Sequence, residues 1–207
     1  MSRIIAGTAG GSTLSSVPGS GTRPTTDRVK EALFSRLESY EILSGAYVLD
    51  LFAGSGSLGV ESASRGADRV DLVELAEKAA GVCRANAALV NRVLGKERVR
   101  VHRAKAETYL LRVPEGLAWD LVFIDPPYDL DEDGLAGVLQ ALTAHLAPGA
   151  VVVVERSTRS PEPVWPDGLE RFSERAYGET TLWFAEPAEP DAEPEVQQKT
   201  EQNPAEG

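Results

Sequence analysis

The segment FIDPPYDL, residues 123–130, places an acid, two prolines and a tyrosine directly after an apolar run. Proline lacks an N–H and fixes its own φ, so Pro126 and Pro127 cannot extend a sheet and stiffen the backbone where a strand ends. An ionised Asp125 accepts hydrogen bonds from N–H groups, and the ring of Tyr128 can stack on a base. These residue types suit a site that holds an exocyclic amino group.

A second group of candidate residues lies in VLDLFAGSGSLGVES, residues 48–62. Gly54, Gly56 and Gly59 form a GxGxxG pattern after an apolar run and before a helical pattern, the context in which this motif is meaningful. Glu74 ends the next predicted strand, where an acid can accept hydrogen bonds from both hydroxyls of a ribose. The pattern predicts a nucleoside cofactor. Since nicotinamide enzymes use the same glycines and acid, the choice between cofactors depends on residues 123–130.

Short runs of β-type residues alternate with helical patterns and predict a mostly parallel sheet with helices on both faces. The runs are Val48–Ala53, Arg69–Leu75, Arg98–Ala104, Leu121–Ile124 and Val151–Glu155. Two later runs, Leu169–Tyr177 and Thr180–Ala185, flank Gly178 and predict an antiparallel pair. We therefore expect an α/β fold with a seven-stranded sheet. Ligands of such sheets bind at the carboxyl ends of the strands, so Asp125 should lie beside the glycine loop.

The two ends of the chain differ in composition from its middle. Residues 1–22 include a stretch rich in glycine and serine and are predicted to form an arm or a small hairpin. A helix with Thr25 or Thr26 as its N-cap should open the main domain, residues 23–186. Residues 187–207 are rich in proline, glutamate and glutamine and are predicted to be a disordered acidic tail. Seven acids and one lysine from residue 186 onward account for −6 of the chain's formal charge of −11.

Composition limits the class of protein. The chain has 207 residues, 42% of them hydrophobic, which favours one domain with a sizeable core. A single cysteine, Cys83, excludes a disulfide framework and a cysteine-based metal cluster, so we expect no metal. The sequence lacks a signal-peptide pattern and the roughly 18 uninterrupted apolar residues of a membrane span. We expect a soluble, cytoplasmic monomer.

Several motifs together resemble one known family, over about Arg3 to Ala185. They are RIIAG at Arg3, TRPTTDRVKEALF at Thr22, DLFAGSGSLGVES at Asp50, VEL at Val73, DPPY at Asp125, VVVER at Val152 and YGETTLWF at Tyr177. The sequence is similar to the bacterial guanine-N2 methyltransferases of small-subunit (16S) ribosomal RNA, which use S-adenosyl-L-methionine. DPPY alone marks amino-group methyltransferases as a class, and TRPTTDRV is the more specific motif. The resemblance implies a Rossmann-like class I methyltransferase fold.

The resemblance also implies roles for individual residues. The cofactor pocket would be lined by Asp50, Phe52, Gly54, Ser55, Gly56, Glu74, Leu75 and Ala106. The target guanine would be held by Asp125, Pro126, Pro127 and Tyr128. Ribosomal RNA or the small subunit would be contacted by Arg23, Thr25 and Arg28. This chain departs from the family pattern in one respect, which concerns recognition of the cofactor's adenine. Lys105 stands before Ala106, where many members carry an acid.

Other functions compete with this interpretation. Adenine-N6 and protein-glutamine methyltransferases also carry DPPY-type motifs. A nicotinamide-dependent oxidoreductase would explain the glycines and Glu74 but leaves residues 125–128 without a role. An inactive RNA-binding module is a further alternative, and the presence of all the catalytic motifs counts against it. Cys83 lies on a predicted helix far in sequence from both motifs, so the cysteine-dependent methylation of pyrimidine carbon is set aside.

Overall fold

The computed structural model describes residues 2–18 and 27–188. In chain order the elements are β1 Ser2–Arg3, β2 Thr13–Leu14, α1 Asp27–Ser39, β3 Tyr47–Leu51, α2 Ser57–Ser64, β4 Arg69–Val73, α3 Glu77–Leu94, β5 Val99–His102, α4 Ala106–Leu110, β6 Trp119–Ile124, α5 Glu132–Leu142, a 3₁₀ turn Thr143–His145, β7 Leu146–Ser157, β8 Leu169–Tyr177 and β9 Thr180–Pro187. None of the helices in the described ranges is both long and apolar enough to cross a membrane.

The large sheet has the strand order β5-β4-β3-β6-β7-β9-β8. Strands β3 to β7 pair in parallel, and β9 is antiparallel to both β7 and β8. The predicted mostly parallel seven-stranded sheet with an antiparallel C-terminal pair is therefore confirmed. Strand order reverses between β3 and β6, because β4 and β5 lie on one side of β3 and the later strands lie on the other. Ligands of open sheets bind at this switch point, outside the carboxyl ends of the strands.

Two apolar cores fill the space between the sheet and its helices. The first lies under α1, α2 and α3, where the ring of Phe34 is 5.9 Å from that of Phe123. The second lies under α4 and α5 and contains the fully buried Trp119 and Leu139. Because the central strands are buried on both faces, their sequences are nearly continuous apolar runs. The two faces of the sheet carry different helices, so each side chain at a strand end belongs to one face or the other.

Strand bounds differ from the prediction where the backbone departs from extended geometry. Strand β3 ends at Leu51 because Phe52 has a left-handed φ of 62°, which interrupts the extended conformation. Strands β6 and β7 begin earlier than predicted, at Trp119 and Leu146, and their register shifts directly after Trp119. Strand β9 continues through Pro187, which the sequence assigned to the tail. Proline is tolerated there because it is the last residue of the strand.

The described part of the N-terminal segment is a small antiparallel hairpin held against α2. Strands β1 and β2 pair, and the Glu61 carboxylate accepts hydrogen bonds from the N–H groups of Ile5 (2.7 Å) and Ala6 (3.0 Å). Gly7 lies so close to α2 that a Cβ on it would be 2.0 Å from the carbonyl oxygen of Ser64. The hairpin therefore docks closely on the main domain. The predicted division of the chain into three parts stays a prediction, since residues 19–26 and 189–207 lie outside the described residues.

A buried lysine connects α1 to this hairpin. Lys30 is 1% exposed, and its Nζ donates a hydrogen bond to the carbonyl of Arg3 at 2.5 Å. The same Nζ is 3.5 Å from the carboxylate of Glu61, which also accepts from Arg65 at 2.8 Å. Burial lowers the pKa of Lys30, and the Glu61 and Asp27 carboxylates oppose that shift. A buried charge is tolerated only when it is paired and hydrogen-bonded, so this network fixes the position of α1.

Candidate active site

The carboxyl ends of three neighbouring strands bring acidic residues together on one face of the sheet. Asp50 is in register with Phe123 of β6, and Phe123 is in register with Val153 of β7. The side chains of Phe123 and Val153 lie in the apolar core under α1 to α3. Because side chains alternate along a strand, Asp125 and Glu155, two residues further on, face the same side. Asp125 thus lies beside the glycine loop, at the position that the sheet topology predicts.

The three motif glycines, two in the loop between β3 and α2 and one in α2 itself, serve different purposes. Gly54 and Gly56 have φ values of 56° and 76°, a left-handed conformation that favours glycine. A Cβ on Gly56 would be 2.8 Å from Leu72, and one on Gly59 would be 2.2 Å from the same side chain. A Cβ on Gly54 would meet nothing within 4 Å. Gly56 and Gly59 therefore allow α2 to pack on the sheet, whereas the space beside Gly54 is open to a ligand.

Glu74 follows β4 and supports the glycine loop. One carboxylate oxygen accepts a hydrogen bond from the N–H of Gly54 at 2.8 Å, and the other accepts from the N–H of Ala76 at 2.7 Å. The sequence suggested ribose hydroxyls as the partners of this acid. A carboxylate has about four acceptor positions, so two remain after these backbone bonds. Glu74 can therefore hold the loop and accept further hydrogen bonds from a ligand.

Asp50 lies behind the glycine loop and is 3% exposed. Its carboxylate accepts a hydrogen bond from the N–H of Gly59 at 3.0 Å, which secures the first turn of α2. Burial and the nearby Glu74 raise the pKa of Asp50 to about 7, although the bond from Gly59 works in the opposite direction. A carboxylate with this pKa is sensitive to any positive charge brought near it. Direct contact between Asp50 and a cofactor stays a prediction.

Two residues of α3 support the glycine loop from below, and sequence reasoning gave neither of them this role. The thiol of Cys83 donates to the carbonyl of Gly54 at 3.3 Å, and Asn86 donates to the carbonyl of Ser55 at 2.8 Å. Asn86 also exchanges two hydrogen bonds with the backbone of Ser15, so it connects the N-terminal hairpin to the loop. Burial, with the charges of Asp50 and Glu74, raises the pKa of Cys83, which keeps it a neutral thiol. The position of Cys83 in the sequence gave no sign that it lies next to the glycine loop.

Asp125 directly follows the last residue of β6, and the Glu155 and Asp50 carboxylates lie close enough to influence it. Its residue surface is exposed, yet the enclosing atoms desolvate the carboxylate and raise its pKa well above the ordinary range. The charges of Glu155 and Asp50 act in the same direction. No donor among the described residues is hydrogen-bonded to this carboxylate. Asp125 is therefore a poorly stabilised anion that gains from any donor a substrate provides.

The backbone after Asp125 forms a short, rigid connection to α5. The N–H of Leu130 donates to the carbonyl of Pro127 at 3.0 Å, which closes a turn. Asp131 is the N-cap of α5, and its side chain accepts from the N–H of Gly134 at 2.8 Å. Tyr128 at the tip of the turn is 83% exposed. A large aromatic ring held in water on a rigid turn is well suited to stack on a base.

An ion pair on the opposite face of the sheet fixes the far end of this connection. Arg156 of β7 is bonded to Glu132, the first residue of α5. The Arg156 side chain is 10% exposed and that of Glu132 is 34% exposed, so this pair is partly sheltered from water. Sheltered pairs of this kind are costly to break, because removing one partner leaves the other charge without compensation. The turn that carries Tyr128 is therefore anchored both at β6 and at α5.

The remaining predicted residues fall at varied positions. Phe52 and Ser55 flank the loop glycines and are partly buried. Ala106 is buried at the start of α4, directly after the exposed Lys105, and Leu75 is 53% exposed. Arg28 is exposed in the first turn of α1, whereas Arg23 and Thr25 lie outside the described residues. The structure thus brings the predicted cofactor and base residues to one end of the sheet, and their roles stay predictions.

Both histidines lie on the face of the sheet that α4 and α5 cover. His102 is an edge-strand residue with its Nε2 2.9 Å from Asp71, and His145 ends the 3₁₀ turn with its ring 6.0 Å from that of Trp119. These contacts with the core of that face indicate structural roles for both histidines. In the described ranges no group of three or more His, Cys, Asp or Glu side chains is arranged to hold a metal ion.

Comparisons with known proteins agree with this geometry. A family model described as conserved hypothetical protein 95 matches residues 2–186. Ribosomal RNA small subunit methyltransferase D of Haemophilus influenzae is 34% identical over 176 residues, which are 85% of this chain and 89% of that protein. The chain belongs to this methyltransferase family. The Escherichia coli K12 protein of the same name is 33% identical over 179 residues, 86% of this chain and 85% of that protein.

The family prediction made from the motifs is therefore confirmed. A solved structure from Escherichia coli, described as a candidate methyltransferase, superposes with a TM-score of 0.75 at 30% identity and covers 89% of this chain and 97% of that one. As a member of the small-subunit methyltransferase D family, the chain is expected to use S-adenosylmethionine. The open space beside Gly54 and the acceptors of Glu74 fit its ribose. The acids Asp50, Glu74 and Asp125 suit its positively charged sulfonium.

Proposed function

We propose that this chain transfers a methyl group from S-adenosylmethionine to the exocyclic N2 amino group of a guanine in small-subunit ribosomal RNA. The observation that carries the proposal is the placement of Asp125 at the carboxyl end of β6, beside the glycine loop and followed by a rigid turn with an exposed Tyr128. An amino group held by Asp125 would lie next to the methyl donor. The names of the two relatives support ribosomal RNA of the small subunit as the substrate.

The cofactor supplies an activated methyl group, so the protein needs to align the acceptor nitrogen and to remove a proton. Alignment comes from Asp125, which accepts from the amino group, and from Tyr128, which stacks on the ring. Methylation of an amino nitrogen releases one proton. Burial and neighbouring acids raise the pKa of Asp125 well above the ordinary range, so this carboxylate is a better proton acceptor than an ordinary aspartate. No covalent nucleophile is required.

Contacts to RNA are proposed for the start of α1 and the segment before it. Helix α1 packs on the same face of the sheet as Asp125, through Phe34 and Phe123. Arg28 is exposed in its first turn, and Arg23 and Thr25 precede it in the sequence. Cationic side chains at this place would bind the phosphates on either side of the target base. Action on the small ribosomal subunit would also assign the protein to the cytoplasm.

The test uses small ribosomal subunits, and the 16S RNA extracted from them, from cells that lack the gene. Each is incubated with the protein and S-adenosylmethionine labelled with tritium in the methyl group, and the product is digested to nucleosides. We expect label in N2-methylguanosine. Label in adenosine or cytidine would overturn the guanine assignment and keep the amino-methyltransferase one. Absence of label in both substrates, with intact cofactor binding measured by calorimetry, would overturn the activity itself.

A further inference from the structure

Glu155 is a second carboxylate at the carboxyl end of the sheet, directly beside Asp125. Val154 is in register with Ile124, so Glu155 and Asp125 are the next residues on two neighbouring parallel strands. Such strands lie about 4.8 Å apart. The side chains of both residues face the core under α1 to α3, since Phe123 and Val153, two residues earlier on each strand, lie in that core. The two carboxylates are therefore neighbours on the same face of the sheet, at the carboxyl ends of β6 and β7.

The electrostatics of the two acids agree with this placement. After desolvation, the charge of Glu155 is the largest influence that raises the pKa of Asp125. Glu155 is half-buried and already takes part in an interaction with the protein. A carboxylate has about four acceptor positions, so an existing partner does not prevent it from accepting from a ligand. Two adjacent acceptors that repel each other form a site for a ligand with two adjacent donors.

The bases differ in what lies next to the amino group. In guanine the N2 amino group is adjacent to the N1–H, so this edge presents two neighbouring donors. In adenine and cytosine the amino group is adjacent to a ring nitrogen that is an acceptor. A carboxylate beside Asp125 would accept from N1–H of guanine and would repel the lone pair of that ring nitrogen. Sites built to bond a substrate N–H discriminate strongly against analogues that lack it.

We propose that Glu155 is a specificity-determining residue that accepts the N1–H of the target guanine while Asp125 accepts from its N2 amino group. This inference rests on the proposed function and names the feature by which the site selects guanine among the amino-bearing bases. It requires the base to be unpaired or turned out of its helix, because both groups lie on its Watson–Crick edge. Tyr128 would then stack on the exposed ring face.

The test replaces the target guanine of 16S RNA by 2-aminopurine, introduced by ligation of synthetic fragments at the position found by nucleoside mapping. This base keeps the amino group at C2, but its N1 is an acceptor. We expect the wild-type protein to prefer guanine over 2-aminopurine by roughly tenfold to a hundredfold or more in kcat/KM, the range of one hydrogen bond to a charged group. Glu155→Gln should reduce this preference at least tenfold, because its amide can donate to the acceptor N1.

The ratio of the two substrates is the decisive quantity, since a general loss of structure lowers both rates alike. Glu155→Asp, which keeps the charge, is the matched control and should retain a preference for guanine. An unchanged ratio in Glu155→Gln would overturn the inference. Equal methylation of both bases by the wild-type protein would also overturn it, even if the variant did not fold. Failure of the proposed function would look different, because the wild-type protein would then methylate neither base.

Discussion

The cofactor half and the base half of the site differ in how their polar groups are satisfied. On the cofactor side, backbone N–H groups of the loop, of α2 and of the residue before α3 bond the carboxylates of Glu74 and Asp50. On the base side, Asp125 has no hydrogen-bond donor among the described residues, and Tyr128 stands in solvent. The fold therefore completes the cofactor half by itself. The base half is a rigid frame whose side chains gain their partners only when substrate arrives.

This difference separates stability from catalysis. Groups on the cofactor side hold the loop, so their replacement should change both folding and cofactor affinity. Groups on the base side add little to the stability of the folded state. Desolvation of the Asp125 carboxylate and the nearby charges of Glu155 and Asp50 even lower that stability. Natural sites accept such unfavourable charges when the bound ligand relieves them. Substitutions in the two halves should therefore have effects of different kinds.

The largest effect is expected from Asp125→Ala. Without the acceptor, the amino group is neither oriented nor relieved of its proton, so turnover should fall by about 10³-fold. Cofactor affinity, measured by calorimetry, should change little, because the loop glycines and Glu74 are untouched. Asp129→Ala, which removes an exposed acid from the same connection, is the control and should keep most activity. Full turnover by Asp125→Ala would show that the base half is elsewhere.

Asp50→Asn tests the cofactor side through stability. Folding raises the pKa of Asp50 from 3.8 to about 7, so the folded state binds a proton that the unfolded state has lost, and stability falls as pH rises across this interval. At pH 8 the substitution should stabilise the protein by about 2–4 kcal/mol, since an amide oxygen can still accept from Gly59. Near pH 5 the gain should be less than half as large, and it should vanish only below about pH 4, where the carboxyl is protonated in the unfolded state as well.

Urea unfolding at pH 5 and pH 8 measures this difference. A gain of equal size at both pH values would mean that packing, and not ionisation, is responsible. The same variant should bind S-adenosylmethionine less tightly at pH 8, because the predicted cofactor pocket then carries one negative charge fewer for a positively charged ligand. Improved stability together with weaker cofactor binding would mark Asp50 as a functional residue that folding alone does not favour.

Glu74→Ala should affect cofactor binding more moderately. Its carboxylate bonds the N–H of Gly54 and is proposed to bond the ribose, so its loss should weaken binding by about 1.5–3 kcal/mol. Calorimetry with S-adenosylmethionine gives this value directly. Glu77→Ala is a suitable control, since that neighbouring acid pairs with Arg103 outside the loop. Equal losses in the two variants would point to a general change in charge and not to a contact with the cofactor.

The sequence predicted the motif residues well because their types are unusual for their positions. A pair of prolines after a strand, or glycines between a strand and a helix, has few structural explanations. Residues that act through the fold gave no such signal. Cys83 and Asn86 support the glycine loop from a helix some thirty residues away. Lys30 is fully buried, although a charged residue in an amphipathic helix would ordinarily be assigned to the solvent face.

Glu155 shows the same limit inside the site itself. The motif VVVER contributes to the family resemblance, but it gives Glu155 no role of its own, since a change from apolar to polar residues is common at strand ends. Its importance depends on the register between β6 and β7, which places it beside Asp125. Pairing register is a property of the sheet as a whole. Neither composition nor spacing along one strand contains it.

The smallest effect is expected at Tyr128, and it sharpens the contrast between the two halves. Tyr128 is 83% exposed, so removing its ring costs the folded protein little, and Tyr128→Ala should leave the melting temperature nearly unchanged. The same substitution should cost about 1–3 kcal/mol of base stacking, seen as a raised KM for RNA with cofactor affinity intact. Tyr128→Phe keeps the ring face and should retain most activity. If Tyr128→Phe were as impaired as Tyr128→Ala, the hydroxyl and not the ring would be the functional group, and the base would have to be held by another surface.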